Sequence, residues 1–407
     1  IPREQYLLKK SNTPMQFTMA MWMQVVIIPF LVSFTCVWLI HPAIAKMAII
    51  RGLTDNPNAR KLQKSPVPVM GGMAVFFGII VSAGVTSIVF NSYALFTCVV
   101  TMTVMMYMGF IDDLVGIKPW IRIAIEVAVI GFVVIMDLVN INDFHGLFGI
   151  GKLPVYVSLP LCAFSGVGII NAINMIDGVD GLSSGLGIFI SFVFGCVFFY
   201  SHDFTMAVMA FATMGALVPF FFKNVFGHLS KMFIGDSGTM MMGIILCIFC
   251  MRTIDNTSRV SRAYPDLGVI AFCLAALSIP VFDTVRVMLL RIYHGRSPFI
   301  ADKTHLHHVF IRLGFSHIGT TVCINILEFI NVLSFFLTYW LGASVTLQFI
   351  VVVLTSFTTT IGMYFFLSYL DKHHRTNRLI TTVSVYSQRF VQQRFYKAMT
   401  RLMDKGM

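Results

Sequence analysis

Charge is what this 407-residue chain has least of. Only 12% of its residues are Asp, Glu, Lys or Arg, about half the roughly 25% of a soluble domain. Since 57% are hydrophobic, most of the chain is expected in lipid. Cysteine is also sparse. The eight (Cys36, Cys98, Cys162, Cys196, Cys247, Cys250, Cys273 and Cys323) lie inside or beside apolar runs. Cys247 and Cys250 form a CxxC, but Ile248 and Phe249 between them place it in a spanning helix, so neither a redox nor a zinc role is expected. No cleavable signal pattern opens the sequence; instead apolar runs recur from Met23 to Leu370. Internal repeats and a separate soluble domain are likewise missing.

Acidic residues are outnumbered, 18 against 29 Lys plus Arg, for a net charge of +11. In a soluble protein this excess would suggest nucleic acid. In a membrane protein it reads as topology, because basic residues stay on the cytoplasmic side; no nucleic acid is expected. A spanning helix needs about 20 apolar residues. That rule predicts an all-α, polytopic membrane protein of about eleven transmembrane helices, near 23–45, 70–90, 94–111, 119–138, 154–173, 182–201, 204–222, a short 238–252, 267–290, 319–340 and 343–370. Residues 1–22 form an N-terminal segment, 23–370 the membrane-embedded domain, and 371–407 a basic, amphipathic cytoplasmic tail. With the N-terminus outside, the inner loops and tail hold 22 basic residues and the outer loops four.

This topology sends the polar clusters to one face. Asp112-Asp113 ends the third helix. Asn171, Asn174, Asp177 and Asp180 follow the fifth, Gly235-Asp236-Ser237-Gly238 the seventh, and His305-Leu-His307-His308 the ninth. The basic segment Arg60 to Lys64 follows the first. Paired carboxylates near hydrocarbon repel one another and are costly unless functional. Asp112-Asp113 reads either as a solvated helix end neutralised by Lys118 and Arg122, or as a Mg²⁺- or phosphate-handling pair. The spacing of three from Asn171 to Asp180 gives a polar stripe if the helix continues. Gly178 and Gly181 would loosen it into a loop. Amides and carboxylates suit the hydroxyls and imide edge of a nucleoside; polar glue between helices is the alternative. Asp236, at the start of the eighth helix, can hold a hard cation while the free amides there face a phosphate. The histidines follow Arg291, Arg296 and Asp302. Contact with a diphosphate or sugar fits them better than zinc, since no cysteine or carboxylate completes a tetrahedral set.

In this order the motifs resemble the polyprenyl-phosphate N-acetylhexosamine-1-phosphate transferases, and more distantly muramoyl-pentapeptide phosphotransferase. The matching stretches are Asp55 to Lys61 with Pro68 to Gly72, Gly109 to Asp113, Asn171 to Gly181 and Gly235 to Gly238. Asp283 through Arg291, Ser297-Pro298-Phe299, Asp302 and His305 to His308 complete them. The resemblance implies a bacterial inner-membrane enzyme of cell-surface polysaccharide synthesis, O-antigen and lipopolysaccharide among them, with a site facing the cytoplasm. It implies a UDP-N-acetylhexosamine donor, undecaprenyl phosphate as lipid acceptor, UMP as product, Mg²⁺ or Mn²⁺ as cofactor, and a fold that is often a homodimer. By position, Asp112, Asp113 and Asp236 are the catalytic aspartates, with Asp236 and Asp113 at the metal. Asn174, Asp177 and Asp180 match the nucleoside-side motif, and His305, His307 and His308 the histidine motif. Beside these, Asn171 in the polar stripe and the basic Lys64, Lys118, Arg291 and Arg296 are expected to contact substrate. Two positions depart from some relatives: Gly116 stands where a third acid can follow the aspartate pair, and Leu62 where a histidine can follow Arg60-Lys61. The His-Leu-His-His pattern points to the N-acetylhexosamine branch and to GlcNAc, with GalNAc or a modified hexosamine open.

The chemistry so implied is attack of a lipid phosphate oxygen on the donor β-phosphorus, with Asp112 positioning or deprotonating the acceptor. A covalent phosphate on Asp113 is the competing scheme. The reading from a different class is a transporter with buried acids. Against it stands the expectation that the acids gather at one end, with no comparable acid at mid-membrane depth.

Overall fold

The computed structural model describes residues 18–55, 66–87, 93–136, 138–298, 304–373 and 377–405. Long apolar runs without charges leave the backbone no partner in lipid but itself, so they become helices. In chain order these are α1 (Met19–Ile50), α2 (Gly71–Ser87), α3 (Tyr93–Val115), α4 (Pro119–Ile135), α5 (Val155–Met175), α6 (Leu182–Tyr200), α7 (Phe204–Phe226) and α8 (Gly235–Ile254). After a short α9 (Arg259–Ala263) come α10 (Val269–Ala276), α11 (Ser278–Tyr293), α12 (Leu306–Arg312), α13 (His317–Trp340) and α14 (Val345–Lys372). The chain is a multi-pass membrane protein.

The count of eleven spans is not reached. Among the described residues eight helices are long and apolar enough to cross a membrane, nine if α10 and α11 are one broken span. The other two expected segments, α2 and α4, are helices of 17 residues. Two expected segments also differ in form. The eighth is not short, since α8 has 20 residues. The ninth is not straight: α10 and α11 meet at 76°. Pro280 sits in the first turn of α11, where its ring and missing N–H prevent the helix from running through.

α8 is the axis of the bundle. Apolar on all sides, it is buried along nearly its whole length, as such a helix must be. It packs on α3, α5 and α2. Close approach depends on Gly109, where a side chain would strike the Asp236 carbonyl. Two strands, β1 (Thr54–Asp55) and β2 (Val67–Pro68), pair antiparallel. The Pro68 carbonyl accepts the Phe233 N–H at 2.8 Å, which fixes the approach to Gly235 and the start of α8. A second hairpin, β3 (Asp143–Leu147) with β4 (Ile150–Lys152), joins the opposite ends of α4 and α5. Beyond α14 the chain forms α15 (Arg378–Gln392) and α16 (Arg394–Met403).

An acid does lie at mid-depth, against expectation. Glu328, at the middle of α13, is fully buried. Its carboxylate accepts the Ser278 hydroxyl and the Ile279 N–H, both at 2.9 Å. It thus serves the free N–H groups at the start of α11 and lines none of the cavities at the candidate site.

Candidate active site

The end of α3, the start of α8 and the loop after α5 meet at one end of the bundle. Asp113 lies in the last turn of α3, and its carboxylate reaches the first turn of α8. There Oδ1 accepts the Asp236 N–H at 2.9 Å and Oδ2 the Ser237 N–H at 3.1 Å. Asp112 has different partners. Its Oδ1 accepts the Ile117 N–H at 2.6 Å, and Oδ2 pairs with Arg122 at 3.5 Å. The Asp112 carboxylate also comes within hydrogen-bond reach of that of Asp236. Two facing carboxylates need a shared proton or cation.

α5 stops at Met175, so the stripe of four splits. Asn171 and Asn174 stay helical, while Asp177 and Asp180 sit on the loop before α6. Asn174 Nδ2 donates to Asp236 Oδ1 and to Thr239 Oγ1, both at 2.7 Å. Asn171 donates to Glu126 at 2.7 Å, and Glu126, fully buried on α4, accepts from Arg122 at 3.2 Å. Asp112, Arg122, Glu126 and Asn171 therefore form one chain of contacts. Asp177 accepts the Ser183 hydroxyl at 2.5 Å, and burial raises its pKa to about 6. Asp180 is held the other way. Burial works against its charge, but His317 and Lys231, at 2.7 and 2.6 Å, bring its pKa below the ordinary value.

The histidine motif is held from α11. Asp283, fully buried, accepts from Arg286 at 2.6 Å, from the Leu306 N–H at 3.2 Å, and shares a 2.8 Å bond with His305 Nδ1. A carboxylate receiving two other donors takes the proton of Nδ1 as the third. Arg286 in turn lies 3.5 Å over the Tyr364 ring. His307 is 1% exposed, yet neither of its ring nitrogens has a hydrogen-bond partner among the described residues. Burial, with His308 and His305 beside it, drives its pKa well below the ordinary value. It is a neutral imidazole with one donor and one acceptor to offer.

Three cavities meet here. A polar one of about 530 Å³ is lined by Asp55, Asp113, Asn174, Asp177, Asp180, Lys231, Asp236, His308 and His317 among others. A second, of about 390 Å³, has Asp112, Arg122, Asn171, Asn174, Arg291, His305, His307 and His308 in its wall. The two share Asn174, Asp177, Gly178 and His308. The third, of about 690 Å³, is almost wholly apolar and runs along α4, α5, α10 and α11. It borders the second at Ile123 and Asn171.

Of the predicted site residues, Asp112, Asp113, Asn171, Asn174, Asp177, Asp180, Asp236, Arg291, His305, His307 and His308 thus line one connected space. Lys118, which begins α4, and Arg296 are not in the wall of either polar cavity. Lys64, Arg60 and Asp302 lie outside the described residues. Sequence reasoning passed over Glu126, Lys231 and His317. A lone Glu one turn after Arg122 and a Lys five residues before Asp236 were the available signals.

Residues 95–254, which include most of α3 and all of α5 and α8, match the model of glycosyl transferase family 4. The chain is similar to the undecaprenyl-phosphate alpha-N-acetylglucosaminyl 1-phosphate transferase of Escherichia coli K12, with 29% identity over 278 residues, 67% of this chain and 72% of that one. The probable undecaprenyl-phosphate N-acetylglucosaminyl 1-phosphate transferase of Bacillus subtilis is 27% identical over 310 residues, 75% of this chain and 82% of that one. The transferase of Yersinia pestis is 28% identical over 279 residues, 67% and 73%. The stretch that matches the family model holds Asp112, Asp113, Asn171, Asn174, Asp177, Asp180 and Asp236, and so most of the acids and amides of the polar cavities.

Proposed function

We propose that this protein transfers N-acetylglucosamine-1-phosphate from UDP-GlcNAc to undecaprenyl phosphate and releases UMP, at the cytoplasmic face of a bacterial inner membrane. The observation that carries the reading is the joining of two environments. A wall of Asp112, Arg122, Arg291 and three histidines borders an apolar groove at Asn171. A lipid phosphate needs both, since its head is anionic and its tail insoluble. The adjoining polar cavity, with Asn174, Asp177 and Asp180, suits the uridine and sugar of the donor. The excess of basic residues in the loops on that side supports the cytoplasmic orientation.

In the reaction a phosphate oxygen of the lipid forms a bond to the β-phosphorus of the donor. The bond from that phosphorus to the UMP oxygen breaks, and UMP leaves with the electron pair. Arg122, with an Nη2 that has no hydrogen-bond partner among the described residues, and Arg291 bind the acceptor phosphate and offset the repulsion between the two anions. His307 offers a donor to a phosphate oxygen. A phosphate monoester is already largely ionised at neutral pH, so Asp112 orients more than it deprotonates. Both oxygens of Asp113 are engaged by backbone N–H groups, which weakens it as a nucleophile and favours the single displacement.

The residues present fit a divalent cation. Asp236 and Asp112 face each other, and Mg²⁺ is typically held by one or two carboxylates plus substrate phosphates. Among the described residues no group of three His, Cys, Asp or Glu side chains forms a closed cage. Asp236 with Asp112 would hold the ion, and Asp113 would stand behind them. Once bound, it would neutralise charge on the donor diphosphate.

The test is transfer of radiolabel from UDP-GlcNAc into butanol-extractable lipid by purified protein supplied with undecaprenyl phosphate. Wild-type protein should make the labelled lipid, and Asp236→Asn should lose about 10³-fold in rate while staying folded. Wild-type turnover by Asp236→Asn would remove the assignment. Labelled lipid formed from another UDP-sugar, with none from UDP-GlcNAc, would change the sugar.

A further inference from the structure

The segment beyond α14 touches neither polar cavity, yet it is tied to the cavity wall at two places. α15 is stitched to the turn before α13. Ser384 Oγ donates to the Leu313 carbonyl at 3.2 Å and Gln388 Nε2 to the Gly314 carbonyl at 3.0 Å. The Ser316 N–H donates to Ser387 Oγ and the Ser316 hydroxyl to the Ser387 carbonyl, both at 3.0 Å. The second tie is at the far end of α16. There Asp404 Oδ1 accepts the N–H groups of His228, Leu229 and Ser230, each at 3.0 Å, and the Ser230 hydroxyl at 2.9 Å. Beside it the Tyr396 hydroxyl donates to the Val225 carbonyl at 2.6 Å, and Met403 is buried against Val225 and Phe226. Four donors on one carboxylate oxygen fix the backbone of 228–230 more firmly than a surface loop usually is.

Each tie ends one residue short of a side chain of the donor cavity. The residue after Ser316 is His317, and the residue after Ser230 is Lys231. These two side chains meet on one atom, Asp180 Oδ2, at 2.7 and 2.6 Å. Thr321, one turn on in α13, donates to the Asp180 carbonyl at 2.8 Å. The loop carrying Asp177 and Asp180 is thus braced by two segments that belong to different parts of the fold, and the C-terminal helices hold both.

We propose that the C-terminal segment is a clamp on the donor cavity. Asp404 and Ser387 are positioning residues: they set Lys231 and His317 around Asp180 and so tune affinity for the nucleotide end of the donor without touching it. The clamp rests on the proposed function, in which the Asp180 cavity takes the UDP-sugar. Lipid binding lies on the other side of the site, along α4, α5 and α11, so the clamp acts on one substrate and not on the other.

The experiment uses the full chain in detergent and the lipid-transfer assay, with Asp404→Ala, Ser387→Ala and Asp404→Asn. Loss of one hydrogen-bonded brace should raise the KM for UDP-GlcNAc about fivefold to tenfold. The kcat and the KM for undecaprenyl phosphate should stay within about twofold. Asp404→Asn keeps Oδ1 as acceptor and should recover most of the affinity. On a Lys231→Ala background, Asp404→Ala should add little, because its effect runs partly through Lys231. Hydrogen exchange read on the same samples should show faster exchange at 228–230 in Asp404→Ala. An unchanged donor KM in both alanine variants overturns the clamp. So does an equal fall in kcat for all of them in step with thermal stability, or full additivity with Lys231→Ala. Should Asp404→Ala not fold, Asp404→Asn and Ser387→Ala carry the same comparison. Wild-type protein is assayed alongside: an inactive wild type counts against the transferase reading, whereas unaltered variants of an active wild type count against the clamp alone.

Discussion

Asp113 caps the helix that Asp236 begins: its two carboxylate oxygens take the N–H groups of Asp236 and Ser237 at 2.9 and 3.1 Å. The neighbouring acids therefore do different work, with Asp112 turned to Asp236 and Asp113 to the backbone. Removing a helix cap costs about 1 kcal/mol. Asp113→Asn keeps one acceptor but turns an amide N–H₂ toward a backbone donor, so it should unfold at a lower temperature than wild type and lose activity through a displaced Asp236. Asp236→Asn should lose activity with little change in unfolding temperature. Thermal unfolding in detergent separates the two. If Asp113→Asn is as stable as wild type and inactive, its part is chemical and the single-displacement scheme loses its support.

Asp177 predicts a pH dependence. Burial, with Asp236 and Asp180 nearby, lifts its pKa to about 6 from the ordinary carboxylate range, Ser183 opposing. A raised carboxyl binds its proton more tightly in the folded state. Its stabilisation is therefore complete below the ordinary range and is lost as pH rises through about 6. Asp177→Asn, neutral throughout, should be more stable than wild type at about pH 7.5 and no more stable near about pH 4. On the proposed function, ionised Asp177 would accept the hydroxyls or imide N–H of the nucleoside, so the KM for UDP-GlcNAc should fall as pH rises through about 6. In Asp177→Asn that slope should be flat. A wild-type KM independent of pH from about 5 to about 7.5 would take Asp177 away from the donor.

Gly178 is the seat of His307. A methyl added there would strike the His307 ring, whose nitrogens have no hydrogen-bond partner among the described residues to resist the displacement. Gly178→Ala should turn the imidazole out of the cavity and cost about tenfold in kcat, comparable to His307→Ala, though residue 178 has no side chain to do chemistry. The double variant should be no worse than His307→Ala. Additive losses would mean that the loop, and not the ring, is what the methyl disturbs.

How much of this was legible in the chain depends on how local the cause is. The polar motifs could be placed on one face because each sits at the end of an apolar run, and helix ends are set by run length. The start of α8 at Gly235 and the loop after α5 at Gly178 were legible for the same reason. The partners of those motifs were not. Asp180 meets His317 from 137 residues away and Lys231 from 51, and nothing in the spacing of either pair announces it. Asp283 stood in the matching stretches, but its hold on His305 depends on α11 leaving the line of α10. That bend was hidden because residues 267–290 have the length of a single span and Pro280 sits inside it without a flanking loop signal.

Glu328 is the remaining consequence of the bend. A carboxyl at the middle of a membrane-crossing helix is costly, and here Oε2 alone accepts both the Ser278 hydroxyl and the Ile279 N–H while Oε1 has no hydrogen-bond partner among the described residues. Ser278 is also met by Asn331 at 2.6 Å, which in turn reaches Thr359 at 3.0 Å, so α11, α13 and α14 join at this point. Glu328→Ala strands a buried N–H and hydroxyl, at a cost of about 1–3 kcal/mol each, and should lower the unfolding temperature by several degrees. Glu328→Gln retains an acceptor and should behave close to wild type, because the contact needs an oxygen and not a charge. α11 forms one wall of the apolar groove, through Val281, Val285 and Met288. Destabilising its first turn should therefore raise the KM for undecaprenyl phosphate and leave that for UDP-GlcNAc unchanged, the converse of the clamp variants. A Glu328→Gln protein as impaired as Glu328→Ala would show that the charge itself is used, and would return the buried-acid reading of this helix to consideration.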